Sequence, residues 1–260
     1  MIKILLARLR QGHRTIRYPK GDPPALPDRF RGRPRIDAAR CPAGCSECRK
    51  ACPTGAILAE ETSGADSAGP VRVDLGRCVF CAECVEACPH GAIRHEGDHR
   101  LAARRREDLK VGHEPMRLAG RMDDAMMKLF GRSLRLRQVS AGGCNACEAD
   151  TNVLGTIGWD LGRFGIQFVA SPRHADGLLI TGPVSANMKL ALEKTYGAVP
   201  TPKLVIAVGA CAISGGVFEG HAEVNNGAAS IIPVDLFIPG CPPHPISILD
   251  GLLRLLGRIR

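Results

Sequence analysis

Apolar runs in the second half of the chain alternate with stretches of helical spacing. Five short runs predict strands, and the last four are largely apolar on both faces, as the buried strands of parallel sheets are. Two helical stretches lie between or after these runs. The alternation predicts a doubly wound parallel α/β sheet. The predicted strands are Leu134–Val139, Ile166–Ala170, Leu178–Thr181, Leu204–Val208 and Val234–Ile238, and the predicted helices are Asn187–Tyr196 and Ile246–Leu256.

The first half of the chain is organised by an internal repeat. Residues 37–57 and 74–93 are the same unit written twice, DAARCPAGCSECRKACPTGAI and DLGRCVFCAECVEACPHGAI, with a gap of one residue. Such self-similarity predicts a duplicated supersecondary element. We expect each unit to contain a cysteine loop, a short helix and a short strand.

The cysteine spacing in the second copy is C-x2-C-x2-C-x3-C-P, and the first copy has one extra residue after its first cysteine. This run is typical of bacterial [4Fe-4S] proteins, in which the fourth cysteine ligates the neighbouring cluster. A secreted disulfide scaffold is the alternative for a chain with 12 cysteines, but it requires a signal peptide. The apolar run near the start, Ile4–Ala7, is too short for one, and no run reaches transmembrane length.

Residues 35–98 resemble the bacterial two-cluster ferredoxin family, whose small domain is of the α+β class. The one departure is the extra residue between Cys41 and Cys45, which widens that loop. The resemblance implies that the two copies exchange their last cysteines. One [4Fe-4S] cluster would then be held by Cys41, Cys45, Cys48 and Cys88, and the other by Cys78, Cys81, Cys84 and Cys52.

The four remaining cysteines follow predicted strands. Cys144 and Cys147 come after the first strand, Cys211 after the fourth and Cys241 after the fifth, and glycines flank all of them. Ligands of doubly wound sheets lie outside the carboxyl ends of the strands, so these thiols are expected to share one crevice. Four unrelated buried cysteines are the alternative. If these four thiols share one crevice, the 12 cysteines divide into three sets of four.

Residues 130–255 resemble the small subunit that holds the proximal cluster in energy-converting [NiFe] hydrogenases and in respiratory complex I. The matching segments include FGRSLRLRQVSAGGCNACEAD, PKLVIAVGACAISGGVF and VDLFIPGCPPHP. The ferredoxin part, including PDRFRGRPRIDAARC, resembles the neighbouring two-cluster subunit, so the chain is similar to two adjacent subunits fused together. The resemblance implies a flavodoxin-like sheet and three [4Fe-4S] clusters, with the third held by Cys144, Cys147, Cys211 and Cys241. It also implies that the catalytic residues lie in a partner subunit.

The spacing of the first two cysteines in the third set bears on the kind of partner. Complex I subunits carry adjacent cysteines there, whereas this chain has Cys144-Asn145-Ala146-Cys147, which favours a hydrogenase of the formate hydrogenlyase type. Glu148 comes next, and it could move protons near the partner or stabilise the first turn of a helix. The segment Ser171–Asp176, SPRHAD, is either a partner contact or a hydrogen-bonded turn.

The net charge of +9 is concentrated at the start, where residues 1–40 hold eleven Lys and Arg against three Asp. We interpret residues 1–34 as a basic, proline-rich arm that contacts a membrane surface or a partner, and a solvated terminus is the alternative. Residues 99–131 are predicted to be a linker, and residues 132–260 the small-subunit domain. Aromatic residues make up only 4% of the chain, which argues against nucleic-acid binding.

These observations predict an electron-transfer subunit of an oxidoreductase. It would relay electrons from a donor, such as a ferredoxin or a formate dehydrogenase, to the large catalytic subunit of an energy-converting [NiFe] hydrogenase. Membrane ion-pumping subunits are the other expected partners, so the expected location is the cytoplasmic side of the membrane, as a peripheral protein. The alternatives are the equivalent subunit of a complex I-like NADH/quinone oxidoreductase and, remotely, a zinc-stabilised nucleic-acid-binding protein.

Overall fold

The structure is a computed structural model that describes residues 2–42, 44–59 and 71–259. It begins with an amphipathic helix, α1 (Ile2–Gln11), in which no residue is buried. After Gly12 the arm has no helix or strand before Pro34, turns at Arg17–Gly21 and Pro27–Phe30, and packs on the second half of the chain. The Tyr18 hydroxyl is buried and donates a hydrogen bond of 2.8 Å to Asp250. Only the first third of the predicted arm is therefore free of the fold.

The two cysteine units exchange strands. A strand, β1 (Pro34–Ile36), precedes the first unit, which contains α2 (Glu47–Ala51) and ends in β2 (Ile57–Leu58). Another, β3 (Arg72–Asp74), leads into the second unit, which contains α3 (Glu83–Glu86) and ends in β4 (Ile93–His95). The strand before the first unit, β1, pairs antiparallel with β4, and β2 pairs antiparallel with β3. Each copy thus has the short helix and the short strand expected from the repeat. The ferredoxin-like identity of this part and the limits of the domains stay predictions.

The segment predicted as a linker packs against both halves of the chain. Its strand β5 (Lys110–Val111) extends the sheet of β3, and Ala103 forms an antiparallel bridge with Phe237. Leu101 and Leu109 are buried, although charged residues surround them in the sequence. The helix α4 (Asp124–Phe130) follows, and its N-cap Asp123 accepts a hydrogen bond from the Met126 N–H.

The second half is a five-stranded parallel sheet with helices around it. Its strands are β6 (Leu134–Ser140), β7 (Ile166–Phe168), β8 (Gly177–Thr181), β9 (Leu204–Val208) and β10 (Leu236–Ile238), and its helices are α5 (Ala146–Val153), α6 (Ala186–Ala198), α7 (Ala210–Ser214) and α8 (Pro245–Leu255). The strand order is β7-β6-β8-β9-β10, and every neighbouring pair is parallel.

Counted along the chain within this sheet, the order is 2-1-3-4-5, which is the flavodoxin order. The predicted doubly wound parallel sheet is therefore confirmed. All residues of β8 and β9 are buried, as their apolar sequences predict. The five-residue helix α7 was not predicted, because it is too short to show helical periodicity. No helix among residues 2–42, 44–59 and 71–259 is long and apolar enough to cross a bilayer.

Candidate iron–sulfur sites

Four thiols meet at the carboxyl edge of the parallel sheet. Cys144 and Cys147 lie where the loop after β6 enters α5, Cys211 is the second residue of α7, and Cys241 follows β10. Burial raises the pKa of Cys147, and charges on Glu148, Cys211, Cys241 and Cys144 raise it further. Burial and charges on Cys241, Cys144 and Glu148 raise the pKa of Cys211 to about 11. Thiolates this close together would repel one another. Holding all four in the thiolate form therefore requires positive charge between them.

Two glycines leave room for the sulfur atoms of this set. A Cβ atom at Gly209 would lie 2.5 Å from Cys147 Sγ, and one at Gly216 would lie 2.9 Å from Cys211 Sγ. Both residues have positive φ angles, which side chains rarely adopt. Cys144 and Cys241 are exposed, so two of the four thiols face outward. Soft thiolate donors in a glycine-lined cradle suit a bulky iron–sulfur group.

Glu148 anchors this crevice to the sheet. Its side chain is buried, and its Oε1 atom accepts hydrogen bonds of 2.6 Å from the hydroxyls of Ser140 and Thr181. These residues end two adjacent strands, β6 and β8, so the carboxylate ties the start of α5 to both. Both predicted roles of Glu148, in proton movement and in stabilising the first turn of α5, stay predictions. The segment Ser171–Asp176 contains a hydrogen-bonded turn, in which the His174 N–H donates to the Ser171 carbonyl at 3.1 Å. Asp176 ties this turn to β6 by accepting a 2.7 Å hydrogen bond from the Arg135 N–H.

The cysteines of the repeat fall into two neighbourhoods. Burial raises the pKa of Cys48, and charges on Cys88, Cys41 and Cys45 add to this effect. Cys88 comes from the other copy, so the first neighbourhood contains the four residues of one predicted set. That these four residues ligate one cluster remains a prediction.

The second neighbourhood contains a cysteine from the first copy in the same way. Burial raises the pKa of Cys78 to about 12, with charges on Cys84, Cys52 and Cys81 acting in the same direction. Burial and charges on Cys52, Cys81 and Cys48 raise the pKa of Cys84 to about 11, so the two neighbourhoods adjoin at Cys48 and Cys84. Cys52 thus lies beside the thiols of the second copy.

Backbone N–H groups point at the exchanged cysteines. The Ala56 N–H donates to Cys52 Sγ at 3.2 Å, and the Ala92 N–H donates to Cys88 Sγ at 3.3 Å. Burial alone would raise the pKa of Cys88, but hydrogen bonds from Ala92 and its neighbours lower it overall. The same contact occurs in both copies, four residues after each cysteine. Donors placed in this way stabilise a thiolate and tune the potential of a group bound to it.

The loop of the second copy docks on the helix that carries Cys211. The Ser214 hydroxyl of α7 donates a 2.9 Å hydrogen bond to the Gly76 carbonyl, and Arg77 forms an ion pair with Glu219. A Cβ atom at Gly76 would lie 2.7 Å from Cγ2 of Ile213, so only glycine permits this approach. The second neighbourhood is therefore the one that packs against the sheet.

Asp74 holds this docked loop in shape. It is buried, accepts a 2.9 Å hydrogen bond from the Gly76 N–H, and receives two hydrogen bonds of 2.7 Å from Arg106. The sequence reasoning missed Asp74, Arg106 and Ser214. A signal existed for Asp74, because Asp37 occupies the same place in the first copy. Nothing in the sequence marks the other two.

Among the described residues, no three His, Cys, Asp or Glu side chains converge closely enough to hold a single metal ion. A cubane of four irons and four sulfides is larger than one ion, and its ligands lie correspondingly further apart. The donor chemistry of the sets, which is thiolate throughout, is the one that iron–sulfur clusters require.

Two known families match the chain. The family described as NADH ubiquinone oxidoreductase, 20 Kd subunit, matches residues 144–255, and the 4Fe-4S dicluster domain matches residues 28–92. The first match begins at Cys144 and contains the whole third set, and the second ends just beyond the last cysteine of the repeat. These matches support the presence of iron–sulfur clusters.

Curated relatives share about half of the chain. It is 42% identical to the probable membrane-bound hydrogenase subunit of Pyrococcus furiosus over 52% of this chain and 80% of that protein. Formate hydrogenlyase subunit 7 of Escherichia coli is 42% identical over 52% of this chain and 53% of that protein. An NADH-quinone oxidoreductase subunit of Desulfovibrio desulfuricans is 42% identical over 44% of this chain and 61% of that protein. All three names are those of oxidoreductase subunits.

Proposed function

The chain belongs to the family of the 20 kDa subunit of NADH ubiquinone oxidoreductase, and we propose that it relays electrons to the large catalytic subunit of a membrane-associated [NiFe] hydrogenase. It is an oxidoreductase subunit that carries iron–sulfur clusters. The number of clusters, their ligands, their order and the partners are all part of the proposal.

The observation that carries the proposal is the division of the thiols into three groups of four. Cys41, Cys45, Cys48 and Cys88 would hold the first cluster, Cys78, Cys81, Cys84 and Cys52 the second, and Cys144, Cys147, Cys211 and Cys241 the third. When bound, a [4Fe-4S] cluster supplies one-electron transfer without bond formation or cleavage. The protein contributes the thiolates, the N–H donors and the burial that set each potential.

The docking of the repeat on α7 supports an order for the relay. Gly76 and Arg77 precede Cys78, and they contact the helix that carries Cys211 and the turn that follows it. The second set would therefore exchange electrons with the third, and the first set would be the entry or exit on the far side. The ferredoxin-like domain and the sheet act as one relay because the segment 99–131 packs on both.

The exposed face of the third set would meet the large subunit. Cys144 and Cys241 lie at the surface of the described residues, where a partner can cover them. The Cys144-x-x-Cys147 spacing favours a hydrogenase partner. The second candidate is a complex I-like quinone reductase, which the family name and the NADH-quinone oxidoreductase relatives favour.

The free helix α1 would lie toward the membrane partners. Its exposed apolar residues alternate with basic ones, and basic residues near an anionic surface contribute about 1 kcal/mol each. The relatives named as subunits of a membrane-bound hydrogenase and of formate hydrogenlyase support a partner of this kind. The exposed apolar residues are Ile2, Ile4, Leu5, Leu6 and Leu9.

The proposal is tested by metal and sulfide analysis of anaerobically purified protein. Three cubanes predict about twelve iron and about twelve acid-labile sulfide per chain. The double variant Cys144→Ala/Cys147→Ala should retain about eight of each, because only the third set is broken. Zinc in place of iron, or about eight iron in the wild-type protein, would refute the three-cluster relay.

The choice between the two partners needs a separate assay. Membranes that contain the chain with its neighbouring subunits should reduce a viologen dye with hydrogen, and the double variant should lose this activity. Quinone reduction by NADH without any hydrogen-dependent activity would favour the complex I-like candidate instead.

A further inference from the structure

The ligand loop of the second copy is held in a conformation that side chains rarely adopt. Phe80 has a φ of 55° and Ala82 a φ of 72°, so residues in the left-handed region flank Cys81 on both sides. In the first copy, Gly44 takes the place of Phe80 and has a φ of 77°. The second loop lacks this glycine, and its shape must be maintained by contacts from outside the loop.

The contact on this loop comes from Arg31 in the arm. Its Nη1 atom donates hydrogen bonds to the carbonyl oxygens of Phe80 and Cys81, at 3.0 Å and 2.6 Å. These two carbonyls belong to the peptide units on either side of the Cys81 Cα atom. One guanidinium therefore clamps the backbone at the point where it is turned into the left-handed region.

The backbone that carries Arg31 is itself fixed. The Gly32 N–H donates to the Glu96 carbonyl, and the Arg33 N–H donates to the Asp98 carbonyl, both at 3.0 Å. A Cβ atom at Gly32 would lie 2.3 Å from the Asp98 carbonyl oxygen, so the arm can approach this closely only through glycine. Arg31 is thus presented to the loop from a rigid position rather than from a mobile arm.

The charge of Arg31 is not paired with a carboxylate. The ion pairs of the described residues include Arg33 and Arg35, which both contact Glu96, but none includes Arg31. The guanidinium lies against carbonyl groups and lines a cavity of about 400 Å³ together with Phe80 and Cys241. An unpaired cation beside a redox group stabilises the reduced state, which carries one more negative charge.

We propose that Arg31 is a positioning residue for the second cluster: it clamps the left-handed loop around Cys81, and its charge raises the reduction potential of the cluster. The proposal rests on the proposed function, because it assumes that Cys78, Cys81, Cys84 and Cys52 hold a cluster. The second cluster, which adjoins the third set, would then be reduced more readily than it would be without the charge of Arg31.

The test is a redox titration of the intact protein, in which electron paramagnetic resonance measures the reduced fraction of each cluster. The signal of the second cluster is first assigned as the one that Cys84→Ala removes. Arg31→Gln, which keeps a donor but loses the charge, should shift the potential of this signal to more negative values. The largest shift should belong to this signal, and Arg31→Lys should shift it less.

Arg35→Gln is the matched control, because it removes the same charge from the same segment at a side chain that is exposed, as Arg31 is, but is bonded to Glu96 instead of the loop. It should leave all three potentials in place. Equal potentials in Arg31→Gln and the wild type, equal shifts in Arg31→Gln and Arg35→Gln, or equal shifts in Arg31→Lys and Arg31→Gln would each overturn the proposal. A wild-type protein without the assigned signal would instead refute the proposed function.

Arg31→Gln could fail to assemble the second cluster, and the position of the loop is then read from Arg31→Lys. In that variant the charge remains, but the ammonium ends one bond short of the Nη1 position that bonds both carbonyls. Faster loss of the second cluster than in Arg35→Gln is therefore expected on exposure to a chelator. Loss of the second cluster at the same rate in Arg31→Lys and Arg35→Gln would refute the clamping role of Arg31.

Discussion

The two cysteine units have nearly the same sequence, but their surroundings differ. The loop of the first copy lies at the surface, contains Gly44 at its left-handed position, and begins with an exposed Asp37. The loop of the second copy is pressed against α7, contains Phe80 at the equivalent position, and begins with a buried Asp74. One unit therefore maintains its shape by its own residues, and the other by contacts with the rest of the chain.

This difference shows how a duplicated element can acquire two roles. Both copies retain four cysteines and the proline after the last of them, with one extra residue after Cys41 in the first copy. The environment of each set is determined by residues outside the repeat, such as Arg31, Arg106 and Ser214. The second unit packs on α7 at the edge of the sheet, and the loop of the first unit lies away from that contact.

The largest expected effect comes from breaking the exchange of cysteines between the units. Cys52→Ala should abolish the cluster of the second set, because Cys52 lies beside Cys78 and Cys84 of the second copy. Cys88→Ala should abolish the cluster of the first set for the same reason. Electron paramagnetic resonance spectra of the two variants, recorded after reduction with dithionite, should each lack a different signal.

The control for this experiment is a cysteine that is not exchanged. Cys48→Ala should remove the same signal as Cys88→Ala, and Cys84→Ala the same signal as Cys52→Ala. If Cys52→Ala and Cys48→Ala perturb one signal and spare the other, the exchange is wrong and each copy holds its own cluster.

A smaller effect is expected at the aspartate that opens each unit. Asp74→Ala leaves Arg106 unpaired at a site where the arginine side chain is only 27% exposed. Breaking a buried ion pair costs about 3 kcal/mol, so the free energy of unfolding should fall by about this amount. Denaturant titration of the anaerobic protein measures the change.

Asp37→Ala is the matched variant in the first copy. Asp37 accepts one hydrogen bond, from the Ala39 N–H at 3.1 Å, and its side chain is 51% exposed. The loss of such a cap costs about 1 kcal/mol. Equal losses in the two variants would contradict the conclusion that the second unit depends on its surroundings.

The sequence was informative where residues repeat or alternate. The bounds of β9 agree with the prediction. Cysteine spacing marked the eight candidate ligands of the repeat, and positions after predicted strands marked the other four. The sequence was uninformative where function depends on contacts between distant segments. Arg31 lies 50 positions from Cys81, and the buried apolar residues of the segment 99–131 form no run longer than Leu101–Ala103. Pattern analysis detects periodicity within a window, and neither contact produces any.

The smallest expected changes in the free energy of unfolding come from left-handed backbone conformations in the two loops. Ala82→Gly should stabilise the second loop by about 0.5 kcal/mol, because relief of a left-handed alanine exceeds the entropy gained by the unfolded chain. Gly44→Ala should destabilise the first loop by about 1 kcal/mol, and only its φ of 77° is responsible, since nothing lies within 4 Å of the new Cβ atom. Gly97→Ala also has nothing within 4 Å but no positive φ, and it should be neutral or slightly stabilising. Denaturant titration should give the largest free energy of unfolding for Ala82→Gly, a smaller one for Gly97→Ala and the smallest for Gly44→Ala. A Gly44→Ala protein as stable as Gly97→Ala would show that the first loop carries no conformational constraint.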